Sequence, residues 1–380
     1  MDSLASLILL TVMGLSMLIL FLYYGVIILR IGLKKQKAES ATGANDASSF
    51  LPPVSIVILA HNKANILRVT LPFFIEQDYP SFEIVVVNYL STDDSDSVLD
   101  LVAKHCPFFK VVTMRQDLNR FHGDKYPLSI GIKSAKNDLI LLSSPDCYPS
   151  DKDWIRTMVR HYSNDETMMV LGYTGLKKKK GLFNALQQYD NLLYHASFLS
   201  AASLGMPYTG CGYNLSYRRS FFFKQGAFFN NYVISEGADD MFVNANAKRS
   251  NTAVALAPES YMTKFPFRKC ADWRRYRKGR LVTRSFYSCW QKWYLRLYPV
   301  SLFFFYLSFA LLLAFTTVPW YYLVGAVILK CAWQIVSLKQ PAGRFHVDGI
   351  YPWAPLLELY FLFSDTFLRL LPLSMKKKHN

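Results

Sequence analysis

Val54-Ser-Ile-Val-Ile-Leu-Ala60, closed by His61-Asn62, is the stretch on which the fold turns. It follows Pro52-Pro53, is rich in β-branched residues, and gives way abruptly to polar ones. A short apolar run bounded in this way reads as a buried strand. Three further runs follow it, at 83–87 (EIVVV), 110–114 (KVVTM) and 139–142 (LILL). Between them, 64–77, 95–104 and 126–135 carry helical patterns. Strands alternating with helices at this spacing predict parallel βαβ units in a doubly wound, mostly parallel, Rossmann-like α/β sheet. Such sheets bind ligands beyond the carboxyl ends of their strands. The sequence places His61 and Asn62, then 88–94 beginning with Asn88, then 143–146 including Ser144 and Asp146, at those ends.

Outward from this α/β core the composition changes. Over all 380 residues, 52% are hydrophobic, 18% charged, and the formal net charge is +16. Aromatic residues make up 16%, which excludes global disorder because so much apolar surface can offset the entropy of ordering. The excess of apolar and basic residues points to a membrane surface rather than nucleic acid, for which no binding-module signature is present. The six cysteines (106, 147, 211, 270, 289 and 331) form no CxxC pair and read as reduced thiols in a cytosolic setting.

The apolar residues pile up at the two ends. Residues 3–29 hold no charge and are followed by Arg30, Lys34, Lys35 and Lys37. As a helix this run reaches about 40 Å, enough to cross a hydrocarbon layer of ~30 Å. Asp2 in place of a basic start, the length of the run and the lack of a small-residue cleavage site favour an uncleaved anchor over a signal peptide. We therefore read 1–33 as a transmembrane anchor, 34–51 as a polar linker and 52–267 as the α/β domain. Basic residues after the first span place that domain in the cytoplasm.

Residues 268–298 are dense in Arg and Lys, with Phe286, Trp290, Trp293, Tyr294 and Leu297 at helical spacing. That pattern predicts a helix lying in the headgroup region, against the alternative of an ordinary core helix with a solvated face. Residues 299–380 then hold a charge-free run broken at Val318-Pro319-Trp320, read as a hairpin of two spans at about 299–318 and 319–338. Lys330 must face a partner helix or snorkel. A third segment, 352–373, puts Glu358, Asp365 and Arg369 on one helical face, which packs inward or lies in the interface. If it spans, Lys376-Lys377-Lys378 end up on the wrong side for the basic-residue rule.

Neither GxGxxG nor GxxxxGK[ST] occurs at the strand ends, so those phosphate cradles are unsupported. A phosphate-bearing donor can instead be held through a divalent metal on a carboxylate, and Asp146 in Ser-Ser-Pro-Asp-Cys-Tyr-Pro is placed for that; taken alone, it reads more readily as a turn former. In 207–219 (PYTGCGYNLSYRR), Gly210 and Gly212 beside small and aromatic residues suggest backbone pressed against a ligand, with a plain loop as the alternative. In 235–243 (SEGADDMFV), Asp239 and Asp240 open an apolar helical run; a carboxylate there is a candidate general base, though capping also produces acidic helix starts. The loop 174–206, with its lysines at 177–180, is the candidate acceptor region.

Each signal is modest singly, but together they resemble membrane-bound family 2 glycosyltransferases, bacterial type. The resemblance is carried, in order, by 54–62, Gln77-Asp-Tyr-Pro80, 82–87 with Ser91-Thr92-Asp93, Asp146-Cys-Tyr-Pro149, the PYTGCGYN stretch, Asp239-Asp240 and a basic RxxR before the C-terminal apolar helices. It covers about 52–285 and implies a GT-A fold and inverting transfer from a nucleotide-diphosphate sugar to a lipid-linked, membrane-proximal or glycan acceptor. It carries the metal-binding Asp, for Mg or Mn, onto Asp146, and the base onto Asp240 with Asp239 beside it. The family's arginine element falls on Arg277 and Arg280. His61, Asn62, Asn88, Ser144, Gly212 and Asn214 complete the implied donor site. The sequence departs from the pattern at Asn88-Tyr89 (usually acidic), Ser144 (usually Asp) and Leu281 (usually Trp). Those losses motivate a second reading, a non-catalytic scaffold. A processive polysaccharide synthase is a third, disfavoured because so few spans cannot build a pore.

Overall fold

The computed structural model describes residues 2–34, 51–116, 123–229 and 237–370, with the side chains of 365–370 outside the description. It divides into two units. One is drawn from residues 51–179 and 201–269, the other from 2–34, 180–200 and 270–370. The linker 34–51 (apart from residues 34 and 51), Ser235, Glu236 and the closing lysines lie outside the described residues.

In the first unit the four expected strands form, as β1 (Val54–Ala60), β2 (Phe82–Tyr89), β3 (Phe109–Met114) and β4 (Leu139–Ser143). They are joined by the helices Ala64–Ile75, Ser95–His105 and Lys125–Ser134. Six more strands are described: β5 (Cys147–Pro149), β6 (Met169–Gly172), β7 (Thr174–Leu176), β8 (Leu215–Arg218), β9 (Thr252–Ala255) and β10 (Met262–Lys264). Among the described residues, seven strands make one sheet in the order β3-β2-β1-β4-β8-β6-β9. The pairs β1–β2, β2–β3, β1–β4 and β6–β9 run parallel, while β8 is antiparallel to both neighbours. A smaller sheet, β5-β10-β7, stands beside it.

The core explains the strand pattern. Val54, Ile56, Val57 and Ile58 of β1 are fully buried, as are Ile84 to Val87 of β2. Both faces of a parallel sheet are covered, so the strands read as continuous apolar runs rather than alternating ones. In the helix Ala64–Ile75, the buried residues Ala64, Leu67, Leu71 and Phe74 recur at helical period. On the helix Lys125–Ser134, Gly131 faces Val87 and Val57 so closely that an added Cβ would sit 2.6 and 2.9 Å from their methyl groups. Only glycine lets this helix rest on the sheet there.

The register aligns the site. Ala60 pairs with Asn88, Asn88 with Thr113, and Ile58 with Ser143. The turns after β1, β2 and β4 therefore open at one edge of the sheet.

The second unit is helical and corrects the boundaries expected for the C-terminal third. The first span is continuous to Leu33, with a π-helical stretch at Tyr23–Leu29. The basic region is not one interfacial helix. Cys270–Arg284 is a helix of its own, and a new one starts at Cys289 and runs unbroken to Phe315. Ser288 sets that start through a capping box with Gln291, so Trp290, Trp293 and Tyr294 belong to the opening turns of the long helix. Trp320–Arg344 follows, extending beyond the expected 338. By length and composition, three helices (4–33, 289–315 and 320–344) can cross a membrane. Met13, Leu20, Leu302, Phe305, Leu312 and Leu323 form their shared core. Gly25 and Gly32 permit close helix approach, since a Cβ would meet Trp333 at 3.2 Å and the Pro341 backbone at 2.5 Å. The third apolar segment is the 17-residue helix Ala354–Leu370. Residues 180–200, expected as part of the α/β domain and of an acceptor loop, lie on the helix Leu182–Ser203 and pack with this unit.

Candidate functional site

The turns after β1 and β2 are tied to each other. Asn62 adopts a left-handed backbone (φ 51), and its side-chain oxygen accepts the Thr92 N–H at 2.7 Å. Its own N–H donates to the Ser91 hydroxyl at 3.0 Å. Leu90 is also left-handed (φ 49), a conformation that costs a bulky residue about 1–2 kcal/mol and concentrates at functional edges. His61 Nδ1 donates to the Tyr89 carbonyl at 2.8 Å. Asp93 accepts the Ala64 N–H at 3.0 Å, and its other oxygen accepts from the Ser95 hydroxyl and N–H at 2.5 and 3.0 Å. His61 and Asn62 thus stand at the sheet edge where the sequence puts them, and they build its rim.

Asn88 is placed differently from expectation. It is buried at the end of β2, with Nδ2 donating to Asp96 at 2.5 Å. The amide orients the start of the helix Ser95–His105 rather than presenting an edge outward. Asn214 also departs from its expected role. Fully buried, it donates to the Tyr173 and Ser260 carbonyls at 2.8 Å each and accepts the Trp154 indole N–H at 3.1 Å. Every polar atom of its amide is occupied by the protein, so it pins the 207–214 loop to β6 and the smaller sheet's approach.

That loop delivers Gly212 to the acidic pair. A Cβ at Gly212 would fall 1.7 Å from Asp239 Oδ2, and the Gly212 N–H donates to that carboxylate. The helix Ala238–Asn246 starts from Gly237 in the left-handed conformation (φ 75), so both carboxylates occupy its first turn. Asp240 is buried. Desolvation, reinforced by the Asp240 and Asp124 charges, pushes the Asp239 carboxyl up to about 7; the Gly212 N–H and Lys125 act the other way. Two neighbouring carboxylates, one of them with a raised pKa, are a pattern found at acid–base sites. Asp124 and Lys125, which sequence reading did not single out, belong to its surroundings.

Across the sheet edge, Asp146 sits in the turn between β4 and β5, with Ser144 two residues before it. Lys63, the residue before the first interstrand helix, donates to both Asp146 oxygens at 3.0 and 3.1 Å. Lys264, on β10, is the register partner of Cys147. Its ammonium is buried and lies 3.8 Å from the Tyr213 ring centroid and 4.4 Å from that of Phe267. Desolvation holds the Lys264 amine below its usual range. Among the described residues, no three His, Cys, Asp or Glu side chains are grouped to hold a metal ion. A single carboxylate already neutralised by an ammonium does not fit the expected Mg or Mn site.

The expected arginines lie in the helical unit. Arg277 and Arg280, i and i+3 on one helix, converge on Asp190 at 3.5 and 2.5 Å. Burial disfavours the Asp190 charge, but Arg280 and Arg277 hold its carboxyl below the usual range. Arg277 also lies against the Phe361 and Trp273 rings, and Arg280 against Tyr194 and Tyr276. A shared carboxylate and aromatic faces engage both side chains in this structure. Asp190 carried no signal in the sequence beyond being an acid in a mixed helix.

Residues 55–224 match the family model described as Glycosyl transferase family 2. A probable glycosyltransferase of Bacillus subtilis, YdaM, is 30% identical over 118 residues, covering 30% of this chain and 28% of its own length. An uncharacterized glycosyltransferase of Rickettsia typhi, RT0329, is 27% identical over 135 residues, or 35% and 40% of the two chains. The chain therefore spans well under half of these relatives. Among solved structures, the mannosyltransferase PcManGT of Pyrobaculum calidifontis, in complex with GDP-Man and Mn2+, superposes with a TM-score of 0.59. The match covers 90% of this chain and 99% of that one, at 19% identity, and identifies the fold as GT-A.

Proposed function

We propose that this chain, whose residues 55–224 are a glycosyl transferase family 2 domain, moves a sugar from a nucleotide-diphosphate sugar to an acceptor that is lipid-linked or close to the membrane. The observation that carries this is the Asp239–Asp240 pair at a helix start, with Asp240 buried and Asp239 against Gly212. In the proposed reaction an acceptor hydroxyl oxygen attacks the anomeric carbon. The carbon–oxygen bond to the diphosphate breaks, the leaving oxygen keeps the electron pair, and the hydroxyl proton passes to Asp240. One displacement inverts the anomeric centre. Asp239, with its raised pKa, supplies a proton-bearing neighbour that steadies Asp240 on the acid side of neutrality.

His61, Asn62, Ser144 and the turn at Asp146 form the donor side, at the carboxyl edge of the sheet. Three spans, with Arg30, the basic region 268–296 and Arg344 at their same-side ends, support a cytoplasmic catalytic domain at the inner membrane. The test is a panel of labelled nucleotide sugars incubated with the full chain in membranes containing its native lipids. We expect transfer from one donor with inversion, read from the anomeric configuration of the product. Binding of a donor without transfer to any acceptor contradicts the enzymatic reading and leaves the non-catalytic scaffold. Retention of configuration contradicts the single displacement.

A further inference from the structure

The expected metal ligand and the observed side chains disagree, and the disagreement is local. Asp146 is one carboxylate; Ser144 stands two residues before it and supplies a hydroxyl instead of a second charge. Lys63 closes on both Asp146 oxygens with a half-buried ammonium, its side chain 34% exposed and that of Asp146 26%. The backbone fixes this lysine: its N–H donates to the Ser95 hydroxyl at 3.2 Å, and its carbonyl accepts the Ile66 and Leu67 N–H groups at the helix start. A second ammonium, Lys264, enters from β10 opposite Cys147, held between the Tyr213 and Phe267 rings. Lys63 thus pairs with Asp146 at the carboxyl edge of the sheet, and Lys264 stands beside the same turn.

A divalent ion at a transferred diphosphate contributes positive charge to the leaving oxygens and bridges them to a carboxylate. An ammonium anchored on that carboxylate, as Lys63 is on Asp146, provides positive charge with the same anchor. We propose that Lys63, supported by Lys264, takes the cation's place at the diphosphate of the donor, so that this site binds a nucleoside diphosphate without a metal. Asp146 is then the positioning partner of Lys63 rather than a metal ligand. This rests on the nucleotide-sugar reading above.

The test is calorimetric binding of UDP and of GDP to the full chain in lipid nanodiscs, in EDTA and separately in excess Mn2+. We expect one of the two to bind in EDTA within about threefold of its affinity in Mn2+, a difference under 1 kcal/mol. Lys63→Ala should weaken binding in EDTA by about tenfold or more, and Lys63→Arg should retain it, because the lost contact is a charge-assisted one. Tightening of wild-type binding by more than about tenfold in Mn2+ overturns the lysine assignment while leaving the donor reading intact. Unchanged binding by Lys63→Ala in EDTA overturns it as well. The wild-type comparison stands even if Lys63→Ala fails to fold. If neither nucleotide binds in either condition, the donor reading falls and the lysine assignment with it.

Discussion

At the residue scale, the proposed chemistry rests on the acidic pair. Its protonation is legible only in three dimensions, because burial and the neighbouring charges, not the residue type, raise Asp239 to about 7. The sign of the linkage follows. An unfolded aspartate loses its proton near pH ~4, whereas the folded one keeps it to about 7, so the folded state binds more protons across that interval. Stability from this group is therefore fully present below the unfolded value and is lost as pH rises toward 7. Chemical denaturation between those limits should show this decline in wild type and a flatter profile in Asp239→Asn; an identical slope would remove the assignment. Gly212 is the second residue-scale test. A methyl group at that position collides with the Asp239 carboxylate, so Gly212→Ala should cost about 1–3 kcal/mol of stability, read from thermal unfolding, and depress transfer. Wild-type stability in this variant would mean that the contact yields freely.

Elements were readable to different depths. The parallel strands β1 to β4 announce themselves, since burial on both faces demands unbroken β-branched runs. The helix Leu182–Ser203 did not: Gln187, Gln188, Asp190 and Asn191 interrupt any apolar stripe, and in the fold Tyr189 meets Gln334 and Asp190 meets Arg280, both from other helices. Asn214 shows the converse, a polar residue among glycines that looks like a ligand contact and is saturated by backbone carbonyls. Lys63 carries no signal in the sequence; its pairing with Asp146 shows only in the fold. Between the apolar helices the decisive contact is Lys330 with Glu358, both 1% exposed. Glu358 also accepts from the Tyr24 and Tyr298 hydroxyls at 2.6 and 2.5 Å, and Lys330 donates to Gln334 at 3.0 Å. The sequence required only that Lys330 meet a partner or snorkel. Removing one member leaves a buried charge, so Lys330→Met and Glu358→Leu should each cost about 3–5 kcal/mol, and the double variant much less than their sum. Additive losses in detergent-solubilised thermal unfolding would show that the two groups do not stabilise each other.

For the whole molecule, much of the opening surplus of apolar and basic residues falls, among the described residues, in a helical unit with three long apolar helices and their basic flanks. The helix Ala354–Leu370 precedes Lys376-Lys377-Lys378, which the basic-residue rule places on the same side as Arg30 and Arg344. We expect it to stay on the catalytic side, so a fluorescent-protein fusion at the C-terminus should glow and an alkaline phosphatase fusion should be silent. The reverse pattern would mean that the segment crosses. Central to everything above is that this chain transfers a sugar and that Asp240 takes the acceptor's proton. The most direct test is the rate of transfer by the full chain in nanodiscs, wild type against Asp240→Asn, at saturating donor and equal donor binding. We expect a loss of about 10²–10⁴-fold in rate with donor affinity retained. Turnover by Asp240→Asn at the wild-type rate would contradict it.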